Sequence, residues 1–212
     1  MKKLFSYVWP VTRHINSSAN GIVEITWYNG KKLLDSQNAN YSYGALQTLL
    51  TYGLSETDIN PDTNILLLGL GGGSIIAPLR EQFNCTGKIT AVELDPVIID
   101  IAKEEFDIAP SRDLEIVCMN ALSYVKKCNT RFGLIIVDVF IDTQVPPKFY
   151  ELEFWENVLM LLKPGGSILF NVGINLENDD HVYNIIQRFE NEMIFKVFKD
   201  SKGVNTLLVG KK

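Results

Sequence analysis

The sequence predicts an α/β fold: a doubly wound, mostly parallel seven-stranded sheet with an antiparallel C-terminal strand, preceded by a small N-terminal β-hairpin. Three observations carry this expectation. From Asn64 onward, short apolar runs alternate with segments of helical spacing. Those runs are apolar throughout rather than at every second position, which marks strands covered by helices on both faces. Near the end, "IFKVFKDSKGVNTLLVGK" reads as two strands joined by a polar turn, which places an antiparallel strand in an otherwise parallel sheet.

Taken in order, "GIVEITWYNGKKLLDS" flanks Asn29-Gly30 with β-prone residues, and that dipeptide tolerates positive φ at both centres of a tight hairpin turn. "ALQTLLTYGL" has apolar residues at helical spacing and predicts a short helix stopping near Gly53. The alternation follows: strand "NILLLGL", a glycine turn, a helix over 75–83, strand "KITAVEL", a helix over 96–105, strand "LEIVCM", a helix over 121–127 and strand "FGLIIVDVF". Next come the long segment "IDTQVPPKFYELEFW", a helix through Leu162, the turn "KPGG", a fifth strand "SILFNV" and a helix over 180–192. The expected organisation is an N-terminal hairpin extension over 1–45 and a nucleoside-binding Rossmann-like domain over 46–212.

The totals limit the function classes. A chain of 212 residues buries a substantial core without staples. Its three cysteines, Cys85, Cys118 and Cys128, are odd in number and lack a CxxC pair, so neither a disulfide framework nor a metal site is expected, and a reducing cytoplasm fits. Lys2-Lys3 imitates the start of a secretory signal, but Pro10, Arg13 and His14 interrupt the apolar stretch that should follow, so export is not expected. The uncharged run Ile65 to Leu79 is too short and glycine-rich to span a membrane. A formal charge of −5 argues against nucleic acid as a partner and suits a cationic or zwitterionic small molecule.

"NILLLGLGGGS" carries the first chemistry. In a doubly wound sheet the ligand sits beyond the carboxyl ends of the strands where strand order reverses. Gly69, Gly71, Gly72 and Gly73 fall at the turn after the first of these strands, where missing side chains serve either a ligand or a crowded turn. The spacing is G-x-G-x-G followed by Ser74, not the G-x-G-x-x-G of nicotinamide enzymes. Glu93 ends the second strand, 20 residues past Gly73, the spacing from which a carboxylate reaches two ribose hydroxyls; its alternative is a solvated strand-end charge. Asp95, before Pro96, reads as a helix cap. Asn120 either meets the amino edge of an adenine or caps a helix, Ala121 leaves room for a flat ring, and Leu94 and Leu122 could sandwich that ring or belong to the core.

With these residues the chain resembles the class I S-adenosylmethionine-dependent transferases, and among them the spermidine synthase-like branch. The carriers are "NILLLGLGGGS", "ITAVELDPVIIDIAKEEF", "FGLIIVDVFIDTQVPPKFYELEFW", "LKPGGSILFNV" and the hairpin leading into "YSYG". The resemblance implies S-adenosylmethionine or decarboxylated S-adenosylmethionine as cofactor, and methyl or aminopropyl transfer to a small amine-like acceptor such as a polyamine. It also implies Asp138 as the group that takes the acceptor's proton, with Asp142 as the following carboxylate beside the acceptor; from the residues themselves, Tyr43 could close the pocket and Tyr150 wall the acceptor site by contacting a cation. Aminopropyltransferases carry an acid in the glycine motif and an Asp-Ser-Ser-Asp stretch; here stand Gly72 and Ser74, and Asp138 is followed by Val139, Phe140 and Ile141 before Asp142. The family's Tyr-Gln pair reads Tyr43-Gly44. These departures leave a second class in play, a nucleoside-binding or regulatory module of the same fold without turnover.

From the residues themselves, Asp138 at the end of the fourth strand is either catalytic or a turn former. Pro146-Pro147 stiffens a loop of lid length over the pocket, and the spacing of Phe154 and Trp155 is that of core. His14 and His181 receive no catalytic task. The resemblance also implies a homodimer contact at the hairpin over 21–34, since members of that family commonly self-associate through their amino-terminal strands.

Overall fold

The computed structural model describes residues 2–17, 19–36, 40–173, 179–201 and 205–212. A short helix α1 (Lys2–Phe5) leads into strands β1 (Val11–Ser17), β2 (Gly21–Tyr28), β3 (Lys31–Ser36) and β4 (Asn40–Ser42), which pair antiparallel in that order. The expected hairpin is β2 and β3, turning at Asn29 (φ 49°) and Gly30 (φ 74°), both in the left-handed region. It is extended on both sides to four strands. The unforeseen β1, "VTRHINS", is largely exposed, so it lacks the apolar alternation that identifies a half-buried strand.

The main sheet alternates with helices: α2 (Gly44–Ser55), β5 (Ile65–Leu68), α3 (Ile76–Glu81), β6 (Ile89–Glu93), α4 (Pro96–Phe106), β7 (Leu114–Cys118), α5 (Ala121–Lys127) and β8 (Phe132–Val137). A 3-10 turn at Pro147–Phe149 precedes α6 (Leu152–Leu161), β9 (Leu162–Gly173), α7 (Asp179–Phe189), β10 (Ile194–Ser201) and β11 (Asn205–Lys211). The seven strands lie in the order β10-β11-β9-β8-β5-β6-β7, and β11 runs antiparallel to both of its neighbours. The doubly wound, mostly parallel sheet expected from the sequence is therefore present.

Each central strand is apolar throughout because alternate residues enter two different cores. Leu66, Leu68, Ile135, Val137 and Phe170 face Trp155, Val158 and Ile185 of α6 and α7. Ile65, Leu67, Leu134, Ile136 and Leu169 face Leu49, Leu50 and Leu54 of α2 and Leu79 of α3. Each such side chain contributes about 1.5–3 kcal/mol on full burial. Phe154 and Trp155 are core residues, as their spacing predicted, and the Trp155 indole N–H donates to Phe149 O at 3.1 Å.

Two boundaries differ from expectation. Gly53 does not end α2 but lies inside it, where an added Cβ would stand 2.5 Å from Leu169 Cδ1; the missing side chain lets the helix lie close on the sheet. "KPGG" is not a free turn but the start of β9, accommodated by Gly165 at φ 73°.

The two sheets meet across α4. Val23, Ile25 and Leu34 of the N-terminal sheet pack on Ile98 and Ile101. Asp95, fully buried, caps α4 by accepting from Val97 N at 2.9 Å and also accepts from Ser17 Oγ and from Asn20 Nδ2 at 2.6 Å. The cap expected from sequence is thus also the polar tie that holds the N-terminal sheet in place.

Candidate active site

Chain order reverses between β5 and β8, which lie side by side: β6 and β7 continue on one side and β9 on the other. A crevice is forced at their carboxyl ends, because the connections leave in opposite directions. It opens into a cavity of ≈ 450 Å³. Gly69 and Gly71 form its floor, Glu93 and Asp138 bring carboxyls to it, and Leu94, Asn120, Ala121 and Leu122 line one wall. The loop after β8 contributes Phe140, Asp142, Pro146 and Phe149, so the proline-stiffened segment does run over the pocket.

The glycine turn is bare mainly because of the protein's own atoms. Gly69 has φ 91°, and a Cβ there would stand 2.0 Å from the Asp138 carbonyl oxygen. At Gly72 a Cβ would stand 2.9 Å from Ser42 Cβ, and at Gly73 (φ 72°) 2.7 Å from Ile108 Cγ1. Of the two readings the sequence left open, the crowded turn accounts for the clashes at Gly69, Gly72 and Gly73. Gly69 and Gly71 border the cavity, whereas Gly72 and Gly73 let β4 and the loop after α4 close on the back of the turn. Gly72 N donates to Ser42 Oγ at 2.6 Å.

Glu93 ends β6 and leans back onto the turn. Its Oε2 accepts from Leu70 N at 3.1 Å and Gly71 N at 3.3 Å, and its Oε1 from Asp95 N at 3.0 Å. Most of a carboxylate's four acceptor positions are thus met by main chain. Burial nevertheless raises its pKa, against the lowering effect of these N–H groups. A two-oxygen clasp on a sugar, as expected from spacing alone, would compete with those bonds. Asp138 follows β8. Burial, reinforced by the Glu93 charge, pushes its pKa up to about 6 in spite of the hydrogen bond its Oδ1 accepts from Asn171 Nδ2 at 2.8 Å.

The other expected residues divide. Asn120 caps α5, its Oδ1 accepting from Leu122 N at 2.9 Å, and still borders the cavity beside Ala121. Leu94 is half-exposed at the cavity wall rather than in the core. Asp142 borders the cavity at φ 54°, accepting from Ser36 Oγ at 2.8 Å. Two residues are not brought to it. Tyr43 lies behind the glycine turn, stacked on Phe106 with ring centroids 4.8 Å apart, and its hydroxyl donates to Gly72 O at 3.3 Å. Tyr150 faces away, donating to Val172 O at 2.8 Å and stacking on His181. Burial raises both phenols to about 12, so neither is disposed to give up its proton.

Sequence reasoning missed Asn171 and Asn205, both buried and both bordering the cavity. The signal was available: an amide inside an otherwise apolar buried strand needs a polar partner. Among the described residues no group of three or more His, Cys, Asp or Glu side chains is placed to hold a metal ion, and no helix is long and apolar enough to cross a membrane.

Known proteins share both sequence and architecture with this chain. A polyamine aminopropyltransferase of Thermoplasma volcanium is 27% identical over 143 residues, covering 65% of this chain and 50% of that protein. The chain spans half or less of the length of the curated relatives it matches, among which are eEF1A lysine and N-terminal methyltransferases. Human methyltransferase-like protein 13, solved in complex with SAH, superposes with a TM-score of 0.64 at 23% identity, covering 77% of this chain and 79% of that one. Spermidine synthase from Thermotoga maritima superposes with a TM-score of 0.59 at 16% identity, covering 95% and 69%. The model of the spermine/spermidine synthase domain matches residues 50–200, from within α2 to within β10, a stretch that includes the glycine turn, Glu93, Asp138 and the loop after β8. The chain belongs to the spermine/spermidine synthase domain family.

Proposed function

We propose that this chain is a transferase that uses S-adenosylmethionine or its decarboxylated form to move a methyl or aminopropyl group to a small amine acceptor. One observation carries the reading: two carboxyls of raised proton affinity, Glu93 and Asp138, face a crevice whose floor is the glycine turn and whose wall is largely apolar. A flat base fits against Leu94, Ala121 and Leu122, the sugar falls toward Glu93, and the cationic centre toward Asp138. Relatives named as aminopropyltransferases and methyltransferases support the same reading.

When bound, the sulfonium compound supplies an activated carbon whose leaving group is a neutral thioether. The protein's share is then positioning and one proton. Holding an amine in line with the reacting carbon supplies several kcal/mol, about 7 in well-oriented systems. The acceptor nitrogen sheds a proton as it bonds, and Asp138 is the group placed to receive it. The loop at 139–149 keeps water from the reacting atoms.

Calorimetric titration of the full chain with each of the two sulfonium compounds tests the reading. Binding of either supports it, and the tighter of the two identifies methyl or aminopropyl transfer. Failure of both to bind folded protein refutes it. Product formation with a panel of polyamines then distinguishes a transferase from a binding module.

A further inference from the structure

Asp138 is not held by its own loop but from beneath, by two buried asparagines on neighbouring strands. Asn171 of β9 is fully buried, and its Nδ2 donates to Asp138 Oδ1. Its Oδ1 accepts from Gly173 N at 3.3 Å and from Asn205 Nδ2 of β11 at 2.8 Å. The main-chain donor matters most here. A backbone N–H can only donate, so the end of Asn171 that meets Gly173 is the oxygen, and the end that meets Asp138 is the NH2 group. The amide orientation is therefore fixed by atoms whose chemistry is unambiguous. Asp138 Oδ1, facing a donor, must be an acceptor in every protonation state. Any proton on this carboxyl resides on Oδ2.

We infer that Asn171 and Asn205 are positioning residues for the transfer reaction. Together they lock one oxygen of Asp138 as a permanent acceptor, and so dedicate the other to the acceptor's proton. The inference rests on the transferase reading for its purpose, but its geometry does not. In the step itself the lone pair of the acceptor nitrogen forms the new bond to carbon while the carbon–sulfur bond breaks with its pair going to the thioether sulfur; an N–H bond of the acceptor then breaks, its pair staying on nitrogen and its proton forming an O–H bond at Oδ2. A carboxyl free to rotate would share that proton between two oxygens and two directions. With Asn171 fixed, one is excluded.

The other charged groups lining the cavity are Glu93 at the end of β6, whose charge acts on Asp138, and Asp142 and Lys148 on the loop after β8. None of them is on β9 or β11. A change at Asn171 or Asn205 therefore reaches Asp138 through the relay and leaves the residues Glu93, Asp142 and Lys148 themselves in place.

The test is a carbon-detected NMR titration of the Asp138 carboxyl in the full chain without ligand, compared among four proteins. Asn171→Asp keeps shape and still offers an acceptor to Gly173 N and Asn205 Nδ2, but sets an acceptor against Oδ1. We expect its Asp138 titration to rise by at least about one pH unit, as when two carboxyls share a site. Asn205→Val removes the second donor and should move the midpoint upward by less, whereas Asn205→Ser retains a hydroxyl donor and should restore the native midpoint. Should Asn171→Asp fail to fold, the Val and Ser pair at 205 still decides. A midpoint unchanged in Asn171→Asp and in Asn205→Val, or the same in Val and Ser, overturns the inference. If the midpoints move as expected while neither sulfonium compound binds, the relay stands and the transferase reading falls; if a sulfonium compound binds while the midpoints stay put, the relay falls and the transferase reading stands. In a protein that turns over, the acidic limb of the rate profile should follow the NMR midpoint, a shift that a merely structural role would not produce.

Discussion

Replacing Gly69 with alanine asks directly why the turn is bare. Gly69 sits at φ 91°, a conformation an L side chain rarely adopts, which costs about 1–3 kcal/mol for a residue with a Cβ. The new carbon would also start 2.0 Å from the Asp138 carbonyl oxygen. Carbon and oxygen approach to about 3.3 Å even in favourable contacts, so the ends of β5 and β8 must part by about 1 Å. Forced overpacking of this kind costs about 1–3 kcal/mol. The two effects together predict a loss of roughly 3 kcal/mol or more, a fall in Tm on the order of 10 °C for a chain of this size. The assay is thermal unfolding of the ligand-free chain, with Gly165→Ala as the control: Gly165 has φ 73° but nothing within 4 Å of an added Cβ, so only the conformational cost applies. If Gly69 were bare solely to admit a ligand, the ligand-free variant would lose no more stability than Gly165→Ala, and affinity would carry the rest of the effect. A loss no greater than that of Gly165→Ala would refute the steric explanation of the bare turn.

Three further outcomes follow from the same geometry. Glu93→Gln turns an amide toward main-chain N–H groups that now meet a carboxylate, so affinity for the adenosyl compound should fall by about 2 kcal/mol by calorimetry, and unchanged affinity would contradict the ribose assignment. Asp95→Ala strips the cap from α4 and the partner from Ser17 and Asn20; we expect roughly 3 kcal/mol of lost stability in denaturant unfolding, and a loss under about 0.5 kcal/mol, the size of an ordinary surface substitution, would show that the N-terminal sheet needs no such tie. Asp138→Asn should abolish turnover and yet stabilise. Burial pushes the folded carboxyl up to about 6 against an ordinary value of 3.8, so between those values the folded chain binds a proton the unfolded chain does not. The contribution of Asp138 to stability is therefore highest below that window, is lost as pH rises through it, and stays lost above. The asparagine variant should melt higher than the native chain at pH above that window, with the gain gone at its lower edge; a variant that melts lower at neutral pH would reverse the sign and the reasoning.

How much is legible in the sequence depends on whether one segment contains the whole signal. The parallel strands are readable because both of their faces are buried, and every residue of "NILLL" or "LIIV" after the first polar position has to be apolar. The cap at Asp95 is readable because Pro96 fixes the helix start locally. The glycine turn is visible but its cause is not, since the atoms that exclude a Cβ at Gly69, Gly72 and Gly73 belong to Asp138, Ser42 and Ile108, remote in sequence. Tyr43 and Tyr150 are misplaced by sequence for the same reason: proximity to the first helix or to the lid says nothing about which way a ring turns when Phe106 and His181 offer it a partner. Strand β1 escapes sequence reasoning because an exposed edge strand needs no apolar face.

The asparagine relay shows what lies beyond local pattern. Asn171 and Asn205 each stand in a strand that otherwise reads as core, and neither makes sense except in terms of the other and of Asp138. Burying two amides costs stability unless every donor and acceptor is met, and the Asp138 charge is raised in free energy by burial first and by the nearby Glu93 second. A fold selected for stability alone would put leucine at 171 and 205 and asparagine at 138. What the present arrangement gains is a crevice with negative charge concentrated at one point and with one carboxyl oxygen held still, which matters only if a cation comes to rest there. A bound sulfonium or ammonium would relieve the repulsion between Glu93 and Asp138, lower the proton affinity of Asp138 and free its second oxygen to act. The raised proton affinity of Asp138 in the ligand-free site and its proposed task in the filled one therefore share an origin in its burial beside Glu93.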